Sequence, residues 1–305
     1  MLKRKIVEES KKLRIDGIGF TDAKINSTLK KKLKLQEKLG YACSFQKGTL
    51  EERLNPRLLM NDVKTIIVIF LAYPRTSPKL EALTKKEAYF ASCSWGEDYH
   101  EVIKRKLSLL ANYIKRLKPS LKYKIICDTH PLCDRTLAYQ AGLGFFGNNN
   151  LLINEQYGSY IFVGALLTNL NLEQDKPLNK KCYNCNLCIK ACPTKALTKE
   201  GLLNSNRCLS YITQKKTPLT KKEISLINNC IYGCDKCMKV CPYNKDNHSH
   251  HAEFLPTGLE FINVDSFKAL TKKEFTKRYG FLSASWCGYK VFNRNLNFFK
   301  QKNKL

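Results

Sequence analysis

Acidic residues are scarce in this chain of 305 residues: 26 Asp and Glu stand against 53 Lys and Arg, a formal net charge of +27. An AT-rich genome would favour lysine over arginine, but it would not remove carboxylates. The imbalance points instead to a polyanionic partner, most simply a nucleic acid. Long apolar runs are also missing. The longest, Ile66 to Tyr73, falls far short of the roughly 20 residues that a membrane-crossing helix needs. The first residues, Met1-Leu2-Lys3-Arg4-Lys5-Ile6-Val7-Glu8-Glu9, hold neither an apolar signal core nor a twin-arginine pair. A cytoplasmic, reduced protein away from the membrane is expected. No G-x-G-x-x-G opens a helix after the first strand. Gly142-x-Gly144-x-x-Gly147 has that spelling but follows a helix, so it reads as a backbone loop approaching a bulky ligand closely.

Cysteine, by contrast, is abundant, with 14 residues. A secreted disulfide scaffold is excluded by the chain length and by the spacing of the cysteines. Cys182, Cys185, Cys188 and Cys192-Pro193 form a C-x2-C-x2-C-x3-C-P run. Cys234, Cys237 and Cys241-Pro242 repeat it without the first cysteine, whose place is taken by Ile231. In two-cluster ferredoxins three cysteines of such a run hold one [4Fe–4S] cube and the fourth reaches across to the other. That rule groups Cys182, Cys185, Cys188 and Cys241 at one site, and Cys192, Cys234 and Cys237 at a second that needs one more thiolate, Cys208 or Cys230. Zinc would use the C-x-x-C pairs but calls for neither the third and fourth cysteines at these spacings nor the prolines. The chain is therefore expected to handle single electrons.

Around this module the pattern alternates between helix and strand. Residues 1–20 read as a basic helix turning into a strand, and Lys64 to Leu71 as a strand buried on both faces. Tyr99 to Lys118 carries Ile103, Leu107, Leu110, Ile114 and Leu117 at helical spacing and stops at Pro119. Tyr123 to Cys127 reads as a second buried strand ending at Asp128. Arg135 to Leu143 reads as a helix capped by Asp134, and Tyr157 to Thr168 returns to strand. A polar linker, Asn171 to Lys181, follows. The tract His248-Ser249-His250-His251 fits no metal spacing and reads as a solvated loop. Short helices such as Val264 to Tyr279 close the chain. The fold class is α+β: a sheet domain over 1–172, a ferredoxin-like module over 173–247 and a short helical segment over 248–305.

Several blocks together resemble the cobalamin-dependent epoxyqueuosine reductases of tRNA modification. They are Glu52-Arg53-Leu54-Asn55-Pro56, Trp95-Gly96-Glu97-Asp98-Tyr99-His100, Asp128-Thr129-His130-Pro131-Leu132, Ala141 to Gly147, Gly158-Ser159-Tyr160, Asn206-Arg207-Cys208-Leu209-Ser210-Tyr211 and Ile231-Tyr232-Gly233-Cys234-Asp235. The resemblance implies reduction of the epoxide of epoxyqueuosine to the alkene of queuosine at the wobble base of a tRNA. Two electrons and two protons enter and one water leaves. It implies a cobalamin beside two [4Fe–4S] clusters, with the sheet domain as the cobalamin-binding part. Cys208 becomes the missing cluster ligand, and Asp128 the acid that protonates the departing oxygen. Apolar surroundings should raise the Asp128 pKa enough to hold a proton near neutrality. Arg53, Asp128, Gly144, Gly147, Asn149, Gly158 and Ser159 match positions expected to contact the cobalamin.

Departures stand beside the matches. His130 replaces a small residue of the family motif, and in Asp128-x-His130-x-x-Cys133 a cysteine stands where a histidine-ligated cobalamin motif would have glycine. Many relatives continue into C-terminal helical repeats, and beyond Gly288 to Arg294 part of that tRNA platform is expected to be missing or replaced by lysines. The resemblance further implies a monomer served by a flavodoxin- or ferredoxin-type electron donor. A reductive dehalogenase acting on a small molecule is the rival enzyme, which the charge opposes. A plain two-cluster carrier is the rival of another class, which leaves the N-terminal 170 or so residues without a purpose.

Overall fold

The computed structural model describes residues 1–77, 82–198, 201–245, 251–268 and 270–304. Helix α1 (Leu2–Lys12) leads into strand β1 (Gly17–Asp22). Helix α2 (Ser27–Lys38) starts where the Asn26 side chain accepts the Leu29 amide, and α3 (Leu50–Leu54) is opened by a capping box of Thr49 and Glu52. Strand β2 (Thr65–Ala72) is buried along its whole length, as its β-branched run requires. Strand β3 (Glu87–Phe90), helix α4 (Tyr99–Leu117), strand β4 (Tyr123–Ile126) and helix α5 (Asp134–Gln140) follow. The short hairpin β5 (Phe145–Phe146) and β6 (Leu152–Ile153) then precedes β7 (Ile161–Thr168).

The main sheet runs in the order β1-β2-β7-β4, every neighbouring pair antiparallel. Alternate residues of β2 face opposite sides. Ile67, Ile69 and Leu71 pack with Ile103, Leu107, Leu110 and Ile114 of α4, while Ile66, Val68 and Phe70 pack with Leu137 and Ala138 of α5. Each such fully buried aliphatic side chain contributes roughly 1.5–3 kcal/mol. The all-antiparallel pairing makes the arrangement α+β. Strand β4 differs from the expected buried strand: it is the sheet edge, with Tyr123 and Lys124 exposed. The polar stretch after β7 is pinned rather than loose. Asp175 accepts the Phe20 amide at 2.9 Å and pairs with Lys3 at 2.6 Å.

The cysteine-rich part contains α6 (Leu187–Ala191), α7 (Leu209–Gln214), α8 (Lys221–Leu226), β8 (Cys230–Tyr232) and α9 (Lys236–Lys239). The rest is β9 (Phe261–Asn263), α10 (Val264–Lys268), α11 (Lys272–Tyr279) and α12 (Tyr289–Asn303). A second sheet has the order β8-β3-β9, parallel between β3 and β8 and antiparallel between β3 and β9. It therefore takes one strand from each of the three segments. Asn295 of α12, fully buried, clamps it by donating to Thr213 O at 2.7 Å and Ile231 O at 2.8 Å. His248 and His250 lie outside the described residues. His251 is not solvated as expected: it is 3 % exposed, with Nε2 at 2.7 Å from Asp16 Oδ2. Among the described residues, no helix is long and apolar enough to cross a membrane.

Candidate active site and cysteine centres

Asp128 sits just past β4 with φ +53, a left-handed conformation that aspartate tolerates better than most residues. The turn is held by Asp134, whose Oδ2 accepts the Asp128 amide at 3.0 Å and whose Oδ1 lies 2.9 Å from His130 Nε2. Asp134 is thus a brace for the loop inside the first turn of α5, not its cap; Cys133 occupies the cap position. His130 faces this brace through Nε2.

The Asp128 carboxylate points toward the start of α4. Tyr99 donates its hydroxyl to Oδ2 at 2.8 Å, and His100 Nε2 lies 3.5 Å away. On its other side His100 Nδ1 meets Asp98 Oδ1 at 2.7 Å, and Asp98 also caps α4 by accepting the His100 amide. The electrostatics reverse the expectation for Asp128. Its side chain is 65 % exposed, and its pKa is lowered, first by its interaction with His100 and then, against a desolvation cost, by the Tyr99 hydroxyl and nearby Arg135. Partial burial opposes charge on His100, but Asp128 and Asp98 more than offset it and raise its pKa to about 9. Burial, then the Asp128 charge, holds the Tyr99 phenol well above its ordinary range. At neutral pH the transferable protons therefore rest on His100 and Tyr99, while Asp128 is ionised. The expected strand-end burial of Asp128 fails because β4 is an edge strand.

Beside this loop lies a cavity of about 510 Å³ lined by Lys32, Gln46, Arg53, Cys133, Arg135 and Asn150 among others, with no acidic side chain among its described walls. Arg53 donates to Cys133 Sγ at 3.7 Å, Arg135 to Asn150 O at 2.5 Å and Lys32 to Asn150 Oδ1 at 2.7 Å. Burial, then the Arg135 charge, lowers the Lys32 pKa. Gln46 Oε1 and Asn149 Nδ2 are buried without a hydrogen-bond partner. Buried polar atoms are rarely left so unless a ligand or water completes them.

Cys182, Cys185, Cys188 and Cys241 line one small cavity together with Gly147, Asn148 and Asn149. Asn184 and Asn186 take φ +55 and +58, which lets the backbone wind between these thiols without glycine. Of the other set, Cys208 lies near enough to Cys192, and Cys234 and Cys237 near enough to Cys208, for the charge of one thiolate to bear on the next. Cys230 is buried and turned to the Tyr232 and Gly233 carbonyls at 3.4 and 3.7 Å. Among the described residues, no three His, Cys, Asp or Glu converge on a single-ion site.

The remaining expected contacts divide. Arg53 lines the large cavity, and Gly147 and Asn149 the smaller one. A side chain at Gly144 would strike Ile153 O, and one at Gly158, where φ is +60, would strike Asn244. Ser159 is buried, and its amide donates to Asn244 Oδ1 at 2.7 Å. Gly144 thus packs against β6, Gly158 and Ser159 join the sheet to the end of the second cysteine run, and none of the three lines either cavity. Sequence reasoning assigned no role to Tyr99, His100, Lys32, Gln46 or Arg135. The block Trp95 to His100 held the signal for the first two.

Comparison with known proteins completes the site. Residues 53–129 match a family described as "Epoxyqueuosine reductase QueG, DUF1730", and residues 181–244 match a "4Fe-4S double cluster binding domain". The chain is 38 % identical over 299 residues to the epoxyqueuosine reductase of Bacillus subtilis, covering 96 % of this chain and 77 % of that protein. It is 41 % identical to that of Lactococcus garvieae, covering 97 % and 85 %. A crystal structure of epoxyqueuosine reductase with an epoxyqueuosine-modified tRNA-Tyr stem loop superposes with a TM-score of 0.94 at 37 % identity, over 99 % of this chain and 82 % of that one. A Bacillus subtilis structure with its aspartate-bearing catalytic loop swung out of the active site gives 0.94 at 36 % identity, over 99 % and 82 %.

Proposed function

From the premise that this chain belongs to the epoxyqueuosine reductase family, we propose that it reduces epoxyqueuosine to queuosine at the wobble position of tRNA, with Asp128 and His100 managing the protons. The observation that carries the reading is the juxtaposition of the Asp98–His100–Asp128–Tyr99 network, a cation-lined cavity and two four-cysteine sets in one chain. Cys182, Cys185, Cys188 and Cys241 are the ligands of one [4Fe–4S] cluster, and Cys192, Cys208, Cys234 and Cys237 those of the other. The cobalamin-binding part is 1–172 and the cluster part 173–247. Lys32, Arg53 and Arg135 suit the phosphodiester of a cobalamin, and the unpartnered Gln46 Oε1 on the same cavity suits an amide around a corrin. When bound, these groups supply single electrons and a low-potential cobalt centre.

The reaction consumes two electrons and two protons and releases the epoxide oxygen as water. His100, charged below about pH 9, holds one proton at Nε2, 3.5 Å from Asp128 Oδ2. Asp128 receives it and passes it to the oxygen as that oxygen gains charge. Tyr99 keeps the carboxylate aimed through its 2.8 Å hydrogen bond. Asp98 holds the imidazole by Nδ1, so that Nε2 faces Asp128. The exposed loop, braced from α5 by Asp134, suits a carboxylate that must move between reservoir and substrate. The donor is a one-electron carrier of the flavodoxin or ferredoxin kind, because paired clusters accept electrons singly. The excess of 27 positive charges draws the tRNA phosphates.

The test is anaerobic reconstitution with iron, sulfide and cobalamin, incubation with epoxyqueuosine-containing tRNA and a reductant, and nucleoside analysis. Queuosine should appear, and tRNA affinity should fall steeply between about 50 and 200 mM salt. No queuosine, with both cofactors bound, would overturn the reading.

A further inference from the structure

The chain has two tryptophans, and they do opposite things. Trp95 is 1 % exposed, donates its indole N–H to Phe90 O at 2.8 Å and belongs to the core. Trp286 is 45 % exposed on the turn Ser283–Cys287. It is nevertheless fixed: its indole N–H reaches Tyr232 Oη at 3.2 Å and Gln214 Oε1 at 3.3 Å. Its ring meets the edge of Phe45, itself 38 % exposed, at 5.2 Å, and Phe45 meets Tyr211 at 4.8 Å. The Tyr211 hydroxyl is tied to Ser44 Oγ at 3.0 Å, and Lys216 Nζ stands 5.2 Å from the Trp286 ring centre. Three distant segments thus build one rigid, half-exposed aromatic surface with a cation on it.

Its position ties it to the site. Gln46, next to Phe45, lines the large cavity. Tyr232, which holds the Trp286 indole, lies in β8, the strand paired with β3 just before that network. The turn carrying Trp286 is fastened to the segment just before that network, Ser283 Oγ donating to Cys93 O at 3.1 Å and the Ala284 amide to Ser94 Oγ at 2.8 Å.

We propose that Phe45, Tyr211 and Trp286, with Lys216, form a stacking platform for an anticodon-loop nucleobase adjacent to the wobble residue. This rests on the epoxyqueuosine reading above and adds to it the surface that holds the loop open. A base can enter a buried site only if its neighbours unstack from it. Unstacked bases of single-stranded loops are taken up on aromatic faces, with a nearby cation for the phosphate. Hydrogen bonds at their edges fix Trp286 and Tyr211, both rings reach the surface, and the basic surface complements the RNA.

The experiment measures binding and turnover of an anticodon stem loop on the reconstituted holoenzyme. Trp286→Ala should raise Kd and KM by roughly 5- to 150-fold, the usual range for one base–aromatic stack. It should leave kcat within about twofold, and Trp286→Phe should restore most of the affinity. Phe45→Leu, which keeps apolar bulk on an exposed loop, should weaken binding in the same direction. Stem loops made abasic on one or the other side of the wobble residue provide the decisive arm. At the stacked position the abasic RNA should bind wild type more weakly and make Trp286→Ala silent. An undiminished Trp286→Ala effect on both abasic RNAs, or iron and cobalamin lost along with affinity, would overturn the platform and leave a structural role. Normal queuosine formation with unchanged Kd in Trp286→Ala and Phe45→Leu would overturn the platform alone. Absence of queuosine from the wild type would instead remove the function beneath it.

Discussion

The two halves of the proposed site treat charge in opposite ways. Around Asp128 the protein favours ions: the carboxylate is held below its usual range, the His100 imidazole is raised to about 9, and the carboxylate stays open to water. Around the cysteines it disfavours them. Burial raises Cys188 and Cys234 to about 11 and pushes Cys208, Cys237 and Cys241 upward. Cys192 is the exception: hydrogen bonds from Thr194 and the Ala196 amide outweigh its burial and lower it. Protons need exchange with solvent, whereas electrons need a poorly solvated path. A thiol held neutral must also release its proton when iron binds, so cluster assembly should acidify the medium.

The sharpest break of this contrast comes from the cysteine side. Cys208→Ser should cost about half of the roughly eight irons and abolish turnover. Cys230→Ser should keep both, since its thiol faces backbone carbonyls. An iron assay that exchanged the two results would reassign the second site. Asp128→Asn should instead leave iron and cobalamin untouched while turnover to queuosine falls ~10²- to 10⁴-fold. Loss of metal in that variant would erase the distinction between the halves.

Next in size is His100→Gln, expected to slow turnover by about tenfold or more and to remove the alkaline limb of the pH–rate profile. In the wild type that limb should lie near pH 9, because the raised pKa belongs to the protonated, competent form. The same shift makes the His100 contribution to stability complete below its unfolded pKa, near 6.5, and lost as pH climbs through about 9. Thermal melts of wild type and variant should therefore converge at high pH. Smallest is Asp134→Asn, which keeps one acceptor for the Asp128 amide or His130 and should cost less than about tenfold, the worth of one hydrogen bond. A dead Asp134→Asn with an active Asp128→Asn would exchange their roles.

Much of this was readable from residues alone, for identifiable reasons. Strand β2 and helix α4 announce themselves because one is apolar almost throughout and opens on a β-branched run, Thr65 to Ile69, and the other keeps helical spacing from Ile103 to Leu117. The cysteine grouping is readable because cluster geometry fixes local spacing. The second sheet is not, because its strands have three or four residues and their partners lie far apart in the chain. The Asp128 pKa was misjudged for a related reason: whether a strand end is buried depends on which strand lies beside it. His251 likewise looked solvated until Asp16, from the far end of the sequence, was found against it.

The β8-β3-β9 sheet also sets a timetable. Strand β3 emerges early in synthesis, but it has no partner until β8 is made, and the sheet is complete only with β9, when all eight proposed cluster cysteines are already in the chain. Closing so long a loop is slow, since its entropy must be overcome before the contacts reward it. During that interval Cys234 and Cys237 follow a strand whose sheet still lacks β9. The nascent protein therefore offers its thiols to iron delivery, and to oxidants, before that sheet is complete.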